Sequence, residues 1–333
     1  MNLSEQTLSK AYKSFFPIGA AIAPRHLRTH ADLLLSQYNS ITAENCMKFE
    51  PIHPEPNRYA FGDADALADF ARGNGFKMRG HTLVWHNQTP NWVFENTDGS
   101  QVTRETLIER MREHIHTVVG RYRDAIYCWD VVNEAISDEG EEILRRTRWR
   151  EIIGDDYIQR AFQFAHEADP NATLFYNDYN EANPTKTRKI VSMLKELIEQ
   201  GAPIHGMGMQ AHYGPTKPTV DEIRAALETY AALGIQVQIT EMDLSVYEWD
   251  DEPNDLRKPT PEMMERQAIR YEQIFALLRE FRSVVTGVTL WGLADDSTWL
   301  DNFPVRGRKN WPLLFDETHK PKEACRRVMS FQE

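Results

Sequence analysis

The chain has 333 residues and is 41% hydrophobic and 11% aromatic, enough apolar material for a buried core and too much for a disordered chain. Its formal net charge is -12, with Asp and Glu spread along it and no basic stripe to favour a nucleic-acid partner. No apolar run is long enough to cross a membrane, and the opening Met-Asn-Leu-Ser-Glu-Gln-Thr-Leu-Ser-Lys carries no secretory pattern, so a cytoplasmic location is expected.

Short apolar or β-branched runs then alternate with longer amphipathic stretches. In chain order, an expected strand at 16–21 precedes a helix near 27–38, 40–44 precedes 63–74, and 77–83 precedes 103–121. Next, 125–132 precedes 155–168, 173–176 precedes 184–200, and 206–210 precedes 219–233. Last, 236–240 precedes 261–281 and 284–290 precedes 321–330. Asp155 is positioned to cap its helix, and Pro184 and Pro261 fall where a first helical turn begins.

Eight such alternations, with no linker or low-complexity break, predict an α/β chain folded as a single (β/α)8 TIM barrel over 1–333. A doubly wound open sheet fits less well, because no Gly-x-Gly-x-x-Gly turn follows an early strand. The barrel would also gather the polar residues near the strand ends into one cleft: Asn45, His81, Glu134, Asn177, Gln210, Glu241 and Trp291. Cys46, Cys128 and Cys325 are an odd, sparse set that fits reduced thiols, and none has metal-ligand spacing. No metal and no cofactor are expected, and the oligomeric state is left open.

Two segments carry the strongest chemical signal. Trp129-Asp130-Val131-Val132-Asn133-Glu134-Ala135 and Gln236-Val237-Gln238-Ile239-Thr240-Glu241-Met242-Asp243 are strands that each end in a carboxylate. They count as the fourth and seventh strands, so the two glutamates would face each other across the barrel mouth. Glycoside hydrolysis needs such a pair, one carboxyl to protonate the leaving oxygen and one to attack or to activate water. A single Glu at a strand end is as readily a cap or a surface ion pair. Two on one barrel, with Asn133 before one of them, favour chemistry.

These two segments resemble the active-site signatures of the family-10 glycoside hydrolases, chiefly endo-β-1,4-xylanases. The resemblance covers nearly the whole chain. It extends to Thr42-Ala43-Glu44-Asn45-Cys46-Met47-Lys48, Arg79-Gly80-His81-Thr82-Leu83-Val84-Trp85-His86, Gly208-Met209-Gln210-Ala211-His212 and Trp291-Gly292-Leu293-Ala294-Asp295. It is nearest to the intracellular members, which lack a signal peptide and an attached carbohydrate-binding module. The resemblance implies a retaining enzyme with Glu134 as acid/base and Glu241 as nucleophile. Asn133 would bond the sugar 2-hydroxyl, and His212 with Asp243 would stand behind the nucleophile.

The same resemblance places Glu44, Asn45, Lys48, His81 and Trp85 against sugars on the non-reducing side of the cut. Gln88 would lie near carbon 5 of a bound ring, Gln210 and His212 would face the substrate, and Trp291 and Trp299 would wall the cleft. Tyr179 would stack on the reducing-end side, whereas Trp129, Trp149 and Trp311 read as packing. The implied partner is xylan or xylo-oligosaccharides. Three other readings compete. A metal-dependent barrel hydrolase would use His81, His86, His212 and Asp243, but no His-x-His ends a strand. A non-catalytic sugar-binding barrel would have lost one of the two glutamates, and both are present. A broader β-1,4-glycanase acting on cellulose would share the tryptophan-walled cleft.

Overall fold

A computed structural model describes residues 6–251 and 256–331. Nine parallel-paired strands run β1 (Ile18–Ile22), β2 (Ser40–Ala43), β3 (Lys77–Val84), β4 (Ile126–Asn133), β5 (Thr173–Asp178), β6 (Gly206–Met209), β7 (His212–Tyr213), β8 (Gln236–Leu244) and β9 (Val285–Leu290). The sheet order is β6-β5-β4-β3-β2-β1-β9-β8, and a further β6–β8 pairing closes it into an eight-stranded barrel. The two-residue β7 stands outside that ring and pairs with the far end of β8. The expected (β/α)8 barrel is the observed architecture.

The helices form where the apolar spacing and start signals place them. Thr103, Asn183, Thr219 and Thr260 each accept a backbone N–H in the first turn that follows, and Pro184 and Pro261 open their helices. Asp155 does not cap. Its carboxylate takes Arg150 Nε at 2.7 Å, and Asp156 occupies the capping position with its carboxylate bonded to Arg104 and Arg160 rather than to the helix backbone. The helix expected near 27–38 is divided at His30 into His26–Thr29 and Ala31–Gln37. Strand β1 starts at Ile18 rather than 16, because Pro17 has no N–H to give to a ladder. Short helices at Leu8–Ala11, Phe49–Ile52 and Arg148–Ile153 carry too few periods to be read from sequence.

Two different interiors result. Between strands and helices lies an apolar layer, with Ile41, Leu67, Ile115, Phe162, Leu194, Leu227 and Phe275 fully buried. Burying each such side chain contributes about 1.5–3 kcal/mol. Inside the ring a polar network sits beside the Phe175 ring. Arg79 and Asp130 pair through two bonds of 2.7 and 3.1 Å, and Arg79 Nε donates to Gln238 Oε1 at 2.6 Å. Arg79 is 1% exposed and Asp130 not at all, so this ion pair is entirely out of water. Gly80, between Arg79 and His81, is forced by packing: a Cβ there would stand 2.1 Å from the Trp129 ring.

Candidate active site

The ladder breaks register at the C-terminal ends of three strands: between His81 and Val84 on β3, Asp130 and Val132 on β4, and Ile239 and Met242 on β8. Such irregularities re-aim side chains. In a flat strand, neighbours point to opposite faces. Here the consecutive Thr240 and Glu241 both reach the Asn177 amide: Thr240 Oγ1 donates to Oδ1 at 2.6 Å, and Nδ2 donates to Glu241 Oε1 at 2.8 Å. The irregularity on β8 thus turns Glu241 into the cleft.

An amide chain joins the two glutamates. Asn177 Nδ2 also donates to Asn133 Oδ1 at 2.9 Å, which accepts Gln210 Nε2 at 3.3 Å. Gln210 Nε2 in turn reaches Glu134 Oε1 at 3.0 Å. Trp85 Nε1 holds the other oxygen of Glu134 at 2.8 Å. Glu134 itself sits at φ +57°, and Gln88, Asn180 and Ala211, all just beyond barrel strands, are left-handed too. Non-glycine residues adopt that region at a steric penalty, and it clusters at functional sites.

Glu241 is surrounded by imidazoles. His212 Nε2 is 3.3 Å from Oε2, and His81 Nδ1 is 3.9 Å from Oε1 while bonding Asp130 Oδ2 at 2.9 Å. Burial pushes the Glu241 carboxyl up, but His81 and His212 outweigh it and hold the group below the ordinary carboxylate value. Burial likewise opposes a charge on His212, yet Asp243 and Glu241 carry its pKa up to about 10. The His212–Asp243 contact, 3.0 Å from Nδ1 to Oδ2, is an ion pair without hydrogen-bond alignment. That oxygen takes the Trp299 indole N–H at 2.8 Å instead. The two carboxylates favour the charged form of His212, and that charge in turn favours the ionised form of Glu241.

The profile of glycosyl hydrolase family 10 matches residues 7–331. The chain belongs to glycosyl hydrolase family 10. It is 53% identical to endo-1,4-beta-xylanase B of Paenibacillus barcinonensis over 329 residues, covering 99% of each chain. It is 56% identical to an endo-1,4-beta-xylanase of Geobacillus stearothermophilus, over 97% of this chain and 98% of the relative. The crystal structure of a P. barcinonensis xylanase bound to a conduramine derivative superposes with TM-score 0.96 at 54% identity, covering 97% of this chain and 98% of that one.

In this family-10 barrel a cleft of about 500 Å³ collects Glu44, Asn45, Lys48, His81, Trp85, Asn133, Glu134, Tyr179, Gln210, His212, Glu241, Trp291 and Trp299. Lys48 Nζ donates to Asn45 Oδ1 at 3.0 Å and lies 5.0 Å from the Trp85 ring centre, so its position is fixed before any ligand arrives. Burial lowers its pKa, against the pull of Glu241, Glu44 and Glu134. Lys186 Nζ covers one face of the Tyr179 ring at 4.4 Å, and Arg145 Nη2 donates to its hydroxyl at 2.8 Å. Asp243 lies behind the wall, under His212 and Trp299.

Gln88 follows on the same loop, just beyond the cleft-lining Asn87. Its backbone is left-handed at φ +45°, and its carbonyl accepts Glu50 N–H at 2.8 Å. The histidines of the metal-hydrolase reading are otherwise engaged. Among the described residues, His81, His86, His212 and Asp243 do not bring three ligand atoms together. Several lining residues were missed: Asn87, Asn180, Trp249 and Phe303. Trp249 and Phe303 are 40% and 50% exposed, and exposed aromatics in polar loops were the available signal.

Proposed function

We propose that this family-10 chain is a retaining endo-1,4-β-xylanase with Glu134 as acid/base and Glu241 as nucleophile. The observation that carries this reading is the pair of glutamates bridged by amides on the floor of a tryptophan-walled cleft. Glu241, kept ionised by His212 and His81, attacks the anomeric carbon and forms a covalent glycosyl-enzyme. Glu134 gives its proton to the leaving oxygen, then takes one from the water that releases the sugar. Asn133, fixed by Asn177 and Gln210, is the group for the 2-hydroxyl, a contact that strengthens as the oxocarbenium-like transition state forms. The free cysteines fit an enzyme of the cytoplasm acting on imported xylo-oligosaccharides.

Substrate choice follows from the preset corner made by Glu44, Asn45, Lys48 and Trp85. A glucose unit adds a hydroxymethyl group at carbon 5, and forcing it against ordered polar groups costs about 1–3 kcal/mol. Xylohexaose is therefore expected to be cleaved with at least roughly tenfold higher kcat/KM than cellohexaose. Time-resolved product analysis of the two side by side measures this. Equal or higher efficiency on cellohexaose would establish the broader β-1,4-glycanase instead.

The charge on His212 sets a pH limit. Because His212 helps hold the Glu241 carboxyl low, His212→Asn should raise it. The carboxylate then becomes protonated sooner as pH falls, so the acid limb of kcat/KM moves to higher pH while the alkaline limb stays. An acid limb that does not move would show that His212 leaves the nucleophile's charge untouched.

A further inference from the structure

Three side chains from distant parts of the chain meet to one side of the cleft. His30 follows the short helix after β1, Asp296 lies in the loop after β9, and His319 in the turn before the last helix, Glu323–Met329. Their ligand atoms all lie within 4.8 Å of one another. His30 Nε2 is 3.2 and 3.1 Å from Asp296 Oδ1 and Oδ2, and His319 Nε2 is 3.4 Å from Oδ2. None of the three lines the cleft.

The position of the Thr29 hydroxyl proton sets which nitrogen of His30 carries its own. Thr29 Oγ1 donates to Arg25 O at 3.1 Å, which uses the only hydroxyl proton. When that proton stays on the carbonyl, the ring donates the 2.8 Å contact from Nδ1 to Thr29 Oγ1. In the neutral imidazole this leaves a bare lone pair on Nε2, facing a carboxylate. Lone pair and carboxylate repel unless a positive charge lies between them. The second imidazole borders the same carboxylate, with its ring centre 4.2 Å from that of His30. Protonating both rings would stack two cations, whereas one divalent ion satisfies all three groups.

The distances suit such an ion. Ligands about 2.0–2.1 Å from a tetrahedral metal stand about 3.3 Å apart, and the N···O separations here are 3.1–3.4 Å. Thr29 is the kind of outer partner that fixes a ligating imidazole. His26 is not a fourth ligand, because its Nδ1 accepts Ala23 N–H, which puts the ring proton on Nε2. Asp296 and His319 are 31% and 32% exposed, so water can fill the fourth position. Two imidazoles and one carboxylate suit zinc or a late first-row relative rather than calcium or magnesium, which take oxygen shells.

We propose that His30, Asp296 and His319 bind one zinc-class divalent cation, which clips the first barrel strand's turn to the Trp299 loop and to the C-terminal turn. The role is structural and lies beyond the xylanase reading. No local spacing could announce it, since the ligands pair across 266 and 23 residues.

The test uses the whole untagged protein, stripped with a chelator and titrated with Zn²⁺ and, separately, Co²⁺. One equivalent is expected to bind, with visible d–d bands for Co²⁺. The melting temperature is expected to rise by about 5 °C at a hundredfold excess over Kd. His319→Ala and Asp296→Asn should each weaken binding at least tenfold, and His116→Ala, on an outer helix, should not. No stoichiometric binding by the wild type, or undiminished binding in both variants, overturns the proposal. Turnover of xylohexaose is expected to be equal in stripped and loaded protein, and turnover that required the ion would overturn its structural role.

Discussion

Glu241→Ala is expected to lower turnover of xylohexaose by roughly 10⁴-fold or more, about 5.5 kcal/mol of barrier, because the covalent step is lost outright. Glu134→Ala should cost a similar factor on the same substrate, since the leaving oxygen goes unprotonated. The two variants then separate. An aryl xylobioside with a very acidic phenol needs no proton, so the Glu134 variant should still form the glycosyl-enzyme from it. Azide entering the space left by Glu134 would capture that intermediate as the β-glycosyl azide. In the Glu241 variant azide attacks directly from the nucleophile's side and gives the α-azide. NMR of the products reads both at once. An α-azide from the Glu134 variant, or a β-azide from the Glu241 variant, would reverse the roles. Release of α-configured sugar by the wild type would make the enzyme inverting.

The second large effect is on stability. Asp130→Asn is expected to cost about 3–5 kcal/mol, because it leaves the Arg79 guanidinium charged, buried and short of its counter-ion. Burial raises the Asp130 carboxyl, but Arg79 and His81 outweigh it and hold it below its ordinary value, so the native state carries the pair charged. Urea unfolding of the wild type, Asp130→Asn, Arg79→Met and the double variant measures the cycle. The double variant should lose less than the sum of the singles, since it leaves no unpaired charge. A single substitution within about 1 kcal/mol of the wild type would mean that water or rearrangement replaces the lost partner.

Much of the site was legible because a barrel turns sequence order into geometry. Once eight strands are placed, residues at their C-terminal ends must converge, and Glu134, Gln210, Glu241 and Trp291 do so. What escaped was set by local irregularity. The bulged ends of β4 and β8 break strict alternation, so no pattern of period two could show that Asn133 and Glu241 face inward. Asn177 was visible as a polar strand residue. Its place as the amide between both glutamates depends on pairing across three strands. Asn87 lines the cleft beside a left-handed turn at Gln88, and a positive φ at a non-glycine residue has no sequence signal. Strand β8 runs four residues past its expected end because its last pairings are to β7, too short to be seen.

The polar network inside the barrel has a consequence for how this protein can change. His81 bonds Asp130 and also stands beside Glu241, so the network that holds the ring together belongs to the nucleophile's surroundings as well. Selection for foldedness and selection for activity therefore act on the same few positions along the axis. A lineage adapting to heat has little freedom there. Its stabilising substitutions should accumulate in the outer ring of helices and their caps, where a side chain can be exchanged without touching the sugar.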